Sequence, residues 1–203
     1  SSWRGTLITP LNYAGSPQRR DQLMTAQDST RQNTYYGKGQ GGNFNMPADW
    51  KTWCNQSTYD VSFATGFIRS VFGGGSDRSH WGDGSYNTNA NAAARTLAAN
   101  AKVGERYAPD DPRFVKSVTA ENAQKLANDG FTVVAAWENT SGGPGHLATV
   151  RPNEGEYNSD KGPLVSNIGG ENGVFNVKRG FAVGPATNTP NNMGEISYYY
   201  YPS

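Results

Sequence analysis

The chain has one cysteine, Cys54, among its 203 residues. No internal disulfide can form, cysteine usage does not decide the redox compartment, and the lone thiol either packs or reacts. Long apolar runs are missing too, since no stretch approaches the roughly 18 apolar residues that span a bilayer. Charge is sparse and balanced, 18 Lys and Arg against 17 Asp and Glu, with the basic residues scattered. That removes the electrostatic footprint of a nucleic-acid binder. Only two histidines are present, too few with one cysteine for an ordinary metal site. His80, near Asp77 and Asp83, offers no more than an adventitious ion contact. No metal and no cofactor is expected. Ser1, Ser2 and Trp3 open the chain without an initiator Met or an apolar leader, as expected of a mature or trimmed form.

What the chain does have is glycine (25), proline (11) and polar residues, with 35% hydrophobic residues and a mean hydropathy of -0.72. At this length one domain, residues 1–203, with a modest core and much loop is expected. Residues 1–50 are rich in Gly, Asn, Gln and Thr and lack a sustained period, so they read as a loop-rich N-terminal wrap. From Cys54 to Ser70 the spacing of Thr58, Val61, Ala64, Phe67 and Ile68 predicts a helix. Ala92 to Ala101 predicts a second, and Glu121 to Asn128 a third with Thr119 as N-cap and Gly130 beyond its end. Phe131–Glu138, His146–Arg151 and Pro163–Ile168 predict an antiparallel meander, with a late strand over Ile196–Tyr201 at its edge. The fold class expected is α+β.

Cys54 falls where a polar segment gives way to an amphipathic helix, so free backbone N–H groups and the helix dipole favour its thiolate. An inert, packed cysteine fits that position as well. Gly143-Pro144-Gly145 then delivers His146 to the first position of a strand. A thiol, an imidazole and a third polar group that orients the ring form an arrangement for acyl transfer. Register selects the third group. Setting His146 opposite Asn167 also sets Ala148 opposite Val165 and Val150 opposite Pro163, all on one face. Asn167 is therefore the candidate orienter, although an asparagine ending a strand before Gly-Gly is equally ordinary.

Four segments carry a resemblance. They are Trp53-Cys54-Asn55-Gln56 opening a helix, Ala123-Gln124-Lys125-Leu126-Ala127-Asn128 with Gly130, Val133-Val134-Ala135-Ala136-Trp137, and Gly145-His146-Leu147-Ala148-Thr149-Val150-Arg151-Pro152. Together they resemble the NlpC-like branch of papain-like cell-wall peptidases and amidases, over about residues 50–185. The resemblance implies a papain-like (NlpC-type) fold, a nucleophile helix packed on a central antiparallel sheet, and hydrolysis of amide bonds in peptidoglycan stem peptides or at their junction with the sugar. Carried over, Cys54 is the nucleophile, His146 the base and Asn167 the third polar group. Trp53 and Asn55 replace the residues that usually flank the family's nucleophile, so bond specificity is not inherited. Where papain-like enzymes place a glutamine before the cysteine, this chain reads Met46-Pro47-Ala48-Asp49-Trp50.

Trp53, Tyr36, His80 and Trp81 are candidate substrate-binding residues: the tryptophan and tyrosine rings can stack on sugar or peptide faces, though aromatic side chains more often simply fill a core, and the His80-Trp81 loop is either surface or lines the cleft beside the nucleophile. The expected partner is peptidoglycan or its peptide fragments, met in a secreted, periplasmic or wall-facing location. A delivered antibacterial toxin of this kind would have an immunity protein as a further partner. Two rivals stay open: a non-catalytic wall-binding domain, and a papain-like protease or transamidase acting on proteins.

Overall fold

The computed structural model describes residues 16–32, 54–65, 89–104, 115–182 and 188–200. In chain order these form α1 (Pro17–Gln32), α2 (Cys54–Ala64), α3 (Ala90–Gly104), β1 (Lys116–Val118), α4 (Ala120–Asn128), β2 (Val133–Trp137), β3 (His146–Val150), β4 (Leu164–Asn167), β5 (Gly173–Asn176), α5 (Val177–Gly180) and β6 (Ser197–Tyr200). The class is α+β. All six strands belong to one antiparallel sheet, ordered β1-β6-β2-β3-β4-β5.

Helices cover both faces of this sheet, and strand alternation sorts the core between them. Val134, Ala136, Leu147 and Tyr199 point to one face, where Ala93, Ala94, Leu97 and Ala101 of α3 and Tyr59 of α2 meet them. Val133, Ala135, Trp137, Ala148, Val150, Val165, Tyr198 and Tyr200 point to the other, against Ala123, Leu126 and Ala127 of α4 and Val177 of α5. Helix α4 starts as its sequence predicts, with the Thr119 hydroxyl accepting from the Asn122 N–H at 3.2 Å. It ends before Gly130, whose φ of +90° is open to glycine at little cost.

Helix α1 corrects the expectation of loops through residues 1–50. Its only buried residues are Leu23 and Gln27, so it lacks the apolar stripe that marks a helix in sequence. Polar anchors hold it instead. Pro17 occupies the first helical position, Ser16 Oγ accepts from the Arg19 N–H, and the fully buried Gln27 donates Nε2 to Val150 O at 2.9 Å and Thr149 Oγ1 at 3.1 Å. Arg31 donates to Ser166 Oγ and pairs with Asp28, which also pairs with Arg151. Gly130 lets the helix start close by, since a Cβ there would stand 2.6 Å from the Arg20 backbone nitrogen.

Two further expectations change. The late strand is not an edge, because β6 lies between β1 and β2, and β1 covers its outer side with Lys116, Ser117 and Val118. The β3–β4 register places Thr149 opposite Ser166 and Val150 opposite Val165, two residues from the expected pairing. A shift of two keeps every side chain on its face, so Ala148, Val150, Val165 and Asn167 still share one side. The intervening residues 151–163 are too long a connection for turn chemistry to fix the register. Among the described residues no helix is long and apolar enough to cross a membrane.

Candidate active site

Cys54 is the first residue of α2, a helix that packs against β3. The first-turn N–H groups of a helix have no partners within it, and the dipole there favours negative charge, so the thiol stands where a thiolate is stabilised. Its relative exposure is 7%, buried in the core yet touching the surface. Ser57 donates its hydroxyl to the Cys54 carbonyl at 3.1 Å, tightening the first turn.

His146 opens β3 beside Trp137, its partner on β2. Gly145 before it is required by space, since a Cβ there would lie 2.3 Å from Asn91 Oδ1 and 2.4 Å from the Trp137 carbonyl oxygen. The ring is half-buried. Its Nε2 meets Asn167 Oδ1 at 2.6 Å, while Cys54 forms a hydrogen bond with the same side chain. Burial opposes the charged imidazole, but the Cys54 hydrogen bond, the Cys54 charge and the Asn167 bond outweigh it, so His146 titrates above its ordinary 6.5. A thiolate and an imidazolium side by side account for that direction.

Asn167 is 1% exposed and held at both ends. Its Oδ1 faces the imidazole, and its Nδ2 donates to the Glu171 carbonyl at 2.7 Å, so the carboxamide cannot flip without losing both bonds. Two glycines give it room. At Gly169 a Cβ would come 3.0 Å from His146 Cε1 and 4.0 Å from Cys54 Cβ, and at Gly180 one would come 3.1 Å from Asn167 Oδ1. The first of these places sulfur-bearing residue, ring and turn together at one end of the sheet.

Phe181 completes the enclosure, its ring edge-on to the imidazole with centroids 4.6 Å apart and planes at 76°. It also lines a groove of about 470 Å³ with Ala182, Met193 and Ile196, where Asp160 and Lys178 supply the charges. One ring thus borders both the imidazole and an open apolar groove.

The structure brings Cys54, His146 and Asn167 together. Trp53, Tyr36, His80 and Trp81 lie outside the described residues, as do Phe67, Ile68 and the segment 46–50. Sequence reasoning did not find Phe181, which follows a four-residue helix too short to show a period. It also did not find Asn91, a polar residue in an alanine-rich helix. Gly169 had a signal, the Gly-Gly pair after Asn167, which reads equally as a plain turn. Among the described residues no three His, Cys, Asp or Glu side chains cluster to hold a metal ion. In comparisons with known proteins, no family model and no curated protein matches the chain.

Proposed function

We propose that the protein is a cysteine-dependent amide hydrolase with a papain-like (NlpC-type) fold that cuts amide bonds in peptidoglycan, within the stem peptide or at its junction with the sugar. The observation that carries the reading is the convergence of a helix-start cysteine, a strand-start histidine and a buried asparagine. The substrate class rests on the resemblance of the segments around Cys54, Ala123, Val133 and His146 to NlpC-like enzymes. A secreted or wall-facing location follows from that substrate.

In this mechanism the Cys54 thiolate attacks the carbonyl carbon of the amide, and the negative charge moves to the carbonyl oxygen. The Cys54 backbone N–H, in the first turn of the helix, is the proposed donor for that oxyanion. The His146 imidazolium gives its proton to the leaving nitrogen as the C–N bond breaks, which leaves a thioester and a neutral ring. Water then attacks the thioester, His146 takes its proton, and the acid leaves as the thiolate is restored. Asn167 keeps one ring nitrogen engaged throughout, so the other faces the sulfur.

The deciding experiment digests purified peptidoglycan with the wild-type chain and with Cys54→Ala and identifies the fragments by mass. New amino groups are expected from wild type, with a loss of at least about 10³-fold in the variant. The rate should fall as pH rises through the His146 pKa, which lies above 6.5. Sacculus binding that survives Cys54→Ala, with no bond cut by wild type, would make the protein a wall-binding domain instead.

A further inference from the structure

We propose that Asn91 is a positioning residue for His146, its carboxamide tying together both legs of the β2–β3 connection and so fixing where the imidazole stands relative to the Cys54 sulfur. This rests on the reading of Cys54 and His146 as a working pair. Asn91 is the second residue of α3. Its Oδ1 accepts from the Asn139 N–H at 2.8 Å, on the leg leaving β2, and its Nδ2 donates to the Gly143 carbonyl at 3.0 Å, on the leg entering β3. One planar group therefore spans the neck of the loop.

The loop needs such a clamp. It contains Gly142, with φ +92°, together with Gly143 and Gly145, and glycines leave the backbone soft. Asn139 stiffens it from inside, accepting from the Ser141 N–H at 2.9 Å and donating Nδ2 to the Pro144 carbonyl at 3.1 Å. Asn91 is what ties it to a helix. The missing Cβ of Gly145 is the mark of that contact, because the space it would fill is taken by Asn91 Oδ1 and the Trp137 carbonyl. The next residue is His146. One turn further along α3, Arg95 pairs with Glu138 at 3.1 Å, but both side chains are open to solvent and such a pair adds little. The grip on the loop is the carboxamide's.

The role can be separated from mere stability. Proton sharing between thiol and imidazole depends steeply on their separation, so a loose loop weakens the pair even where the fold survives. Among the described residues the titratable group facing the imidazole is the Cys54 thiol. Asn167 and Phe181 are neutral, and the neighbouring carboxylates Glu138 and Glu171 are paired with Arg95 and Arg179.

The test measures the alkylation of Cys54 by iodoacetamide against pH in the full chain, for wild type, Asn91→Leu and Leu97→Ala. Leu97 is a fully buried core residue on the same helix and serves as the stability control. In wild type the thiolate should react well below the ordinary thiol range. Asn91→Leu should slow alkylation at pH 6 by about tenfold and move the reactive form towards about pH 8.5, with the His146 ring, followed by NMR, titrating closer to 6.5. Leu97→Ala should lower the melting temperature and leave the profile in place. An unchanged profile in Asn91→Leu, or an equal change in Leu97→Ala, overturns the proposal. Because alkylation requires no substrate, a wild-type chain with the acidic reactivity but no action on peptidoglycan sinks the substrate reading and leaves the role of Asn91 standing.

Discussion

The seats of α4 and α1 on opposite faces of the sheet are built by different means. Against α4 and α5 the strands present Trp137, Val150, Val165, Tyr198 and Tyr200, and Phe131 meets Tyr200 edge-on at 5.7 Å, so this side is closed by large apolar groups. Against α1 the strands β3 and β4 present Thr149 and Ser166, and this helix is seated by buried hydrogen bonds from Gln27 and a part-buried one from Arg31, beside the apolar core that α2 and α3 build on the same face. Apolar burial is strong and tolerant of small shifts, whereas a hydrogen bond fixes direction within a few tenths of an ångström. The candidate site draws on both sides. Cys54 belongs to the core of the face covered by α2 and α3, and the imidazole rests on Phe181, from the core of the other.

The contrast can be broken at its aromatic side first. Phe131→Ala removes a ring that is 1% exposed and should cost about 3–5 kcal/mol in urea unfolding. A loss no larger than that of a polar anchor would end the distinction between the two helix seats. Gln27→Leu tests the other side. It leaves the Val150 carbonyl and the Thr149 hydroxyl without their donor, for an expected cost of about 1–3 kcal/mol, and hydrogen exchange should show α1 amides opening before those of α4. A neutral outcome would mean that shape alone seats α1.

The smallest effect is electrostatic. Burial works to raise the Asp28 pKa, but hydrogen bonds and charge from Arg31 and Arg151 outweigh it and hold the carboxyl below 3.8. Its stabilisation is therefore complete at neutral pH, begins to fade as pH falls to about 3.8, and is gone below the folded-state value. Since Asp28 is 38% exposed, Asp28→Asn should cost less than about 1 kcal/mol at pH 7, and that cost should shrink as pH falls below 3.8. Thermal melts across that range would sharpen the comparison by isolating the charged share of the α1 contact.

The same division explains what was legible in the sequence. Elements seated by apolar burial announce themselves: Thr119, Leu126 and Gly130 delimit α4, and the run Val133–Trp137 is a strand buried on both faces. Helix α1 is seated by a glutamine, an arginine and an aspartate, which read as surface until their partners are known. The tyrosines of β6 were legible as a strand but not as an interior one, because the strand that covers them has only three residues. The site divides likewise. Cys54, His146 and Asn167 carry chemistry in their residue types, and a period of two put Asn167 on the correct face despite a register displaced by two. Asn91 and Phe181 act only through neighbours distant in sequence, and no local pattern marks them.

Carboxamides recur wherever this framework must be held in direction. Asn91 spans a loop, Gln27 pins a helix to β3, Asn167 steadies the ring, and Gln124 stands in the gap between β3 and β4, accepting from the Leu164 N–H and donating to the Arg151 carbonyl. Such groups neither take up nor release protons across the range in which proteins live, and they carry no net charge for salt to screen. The spacing of sulfur and ring is thus insulated from acidity and ionic strength, and the response of the site to its surroundings is left to those two atoms' own chemistry.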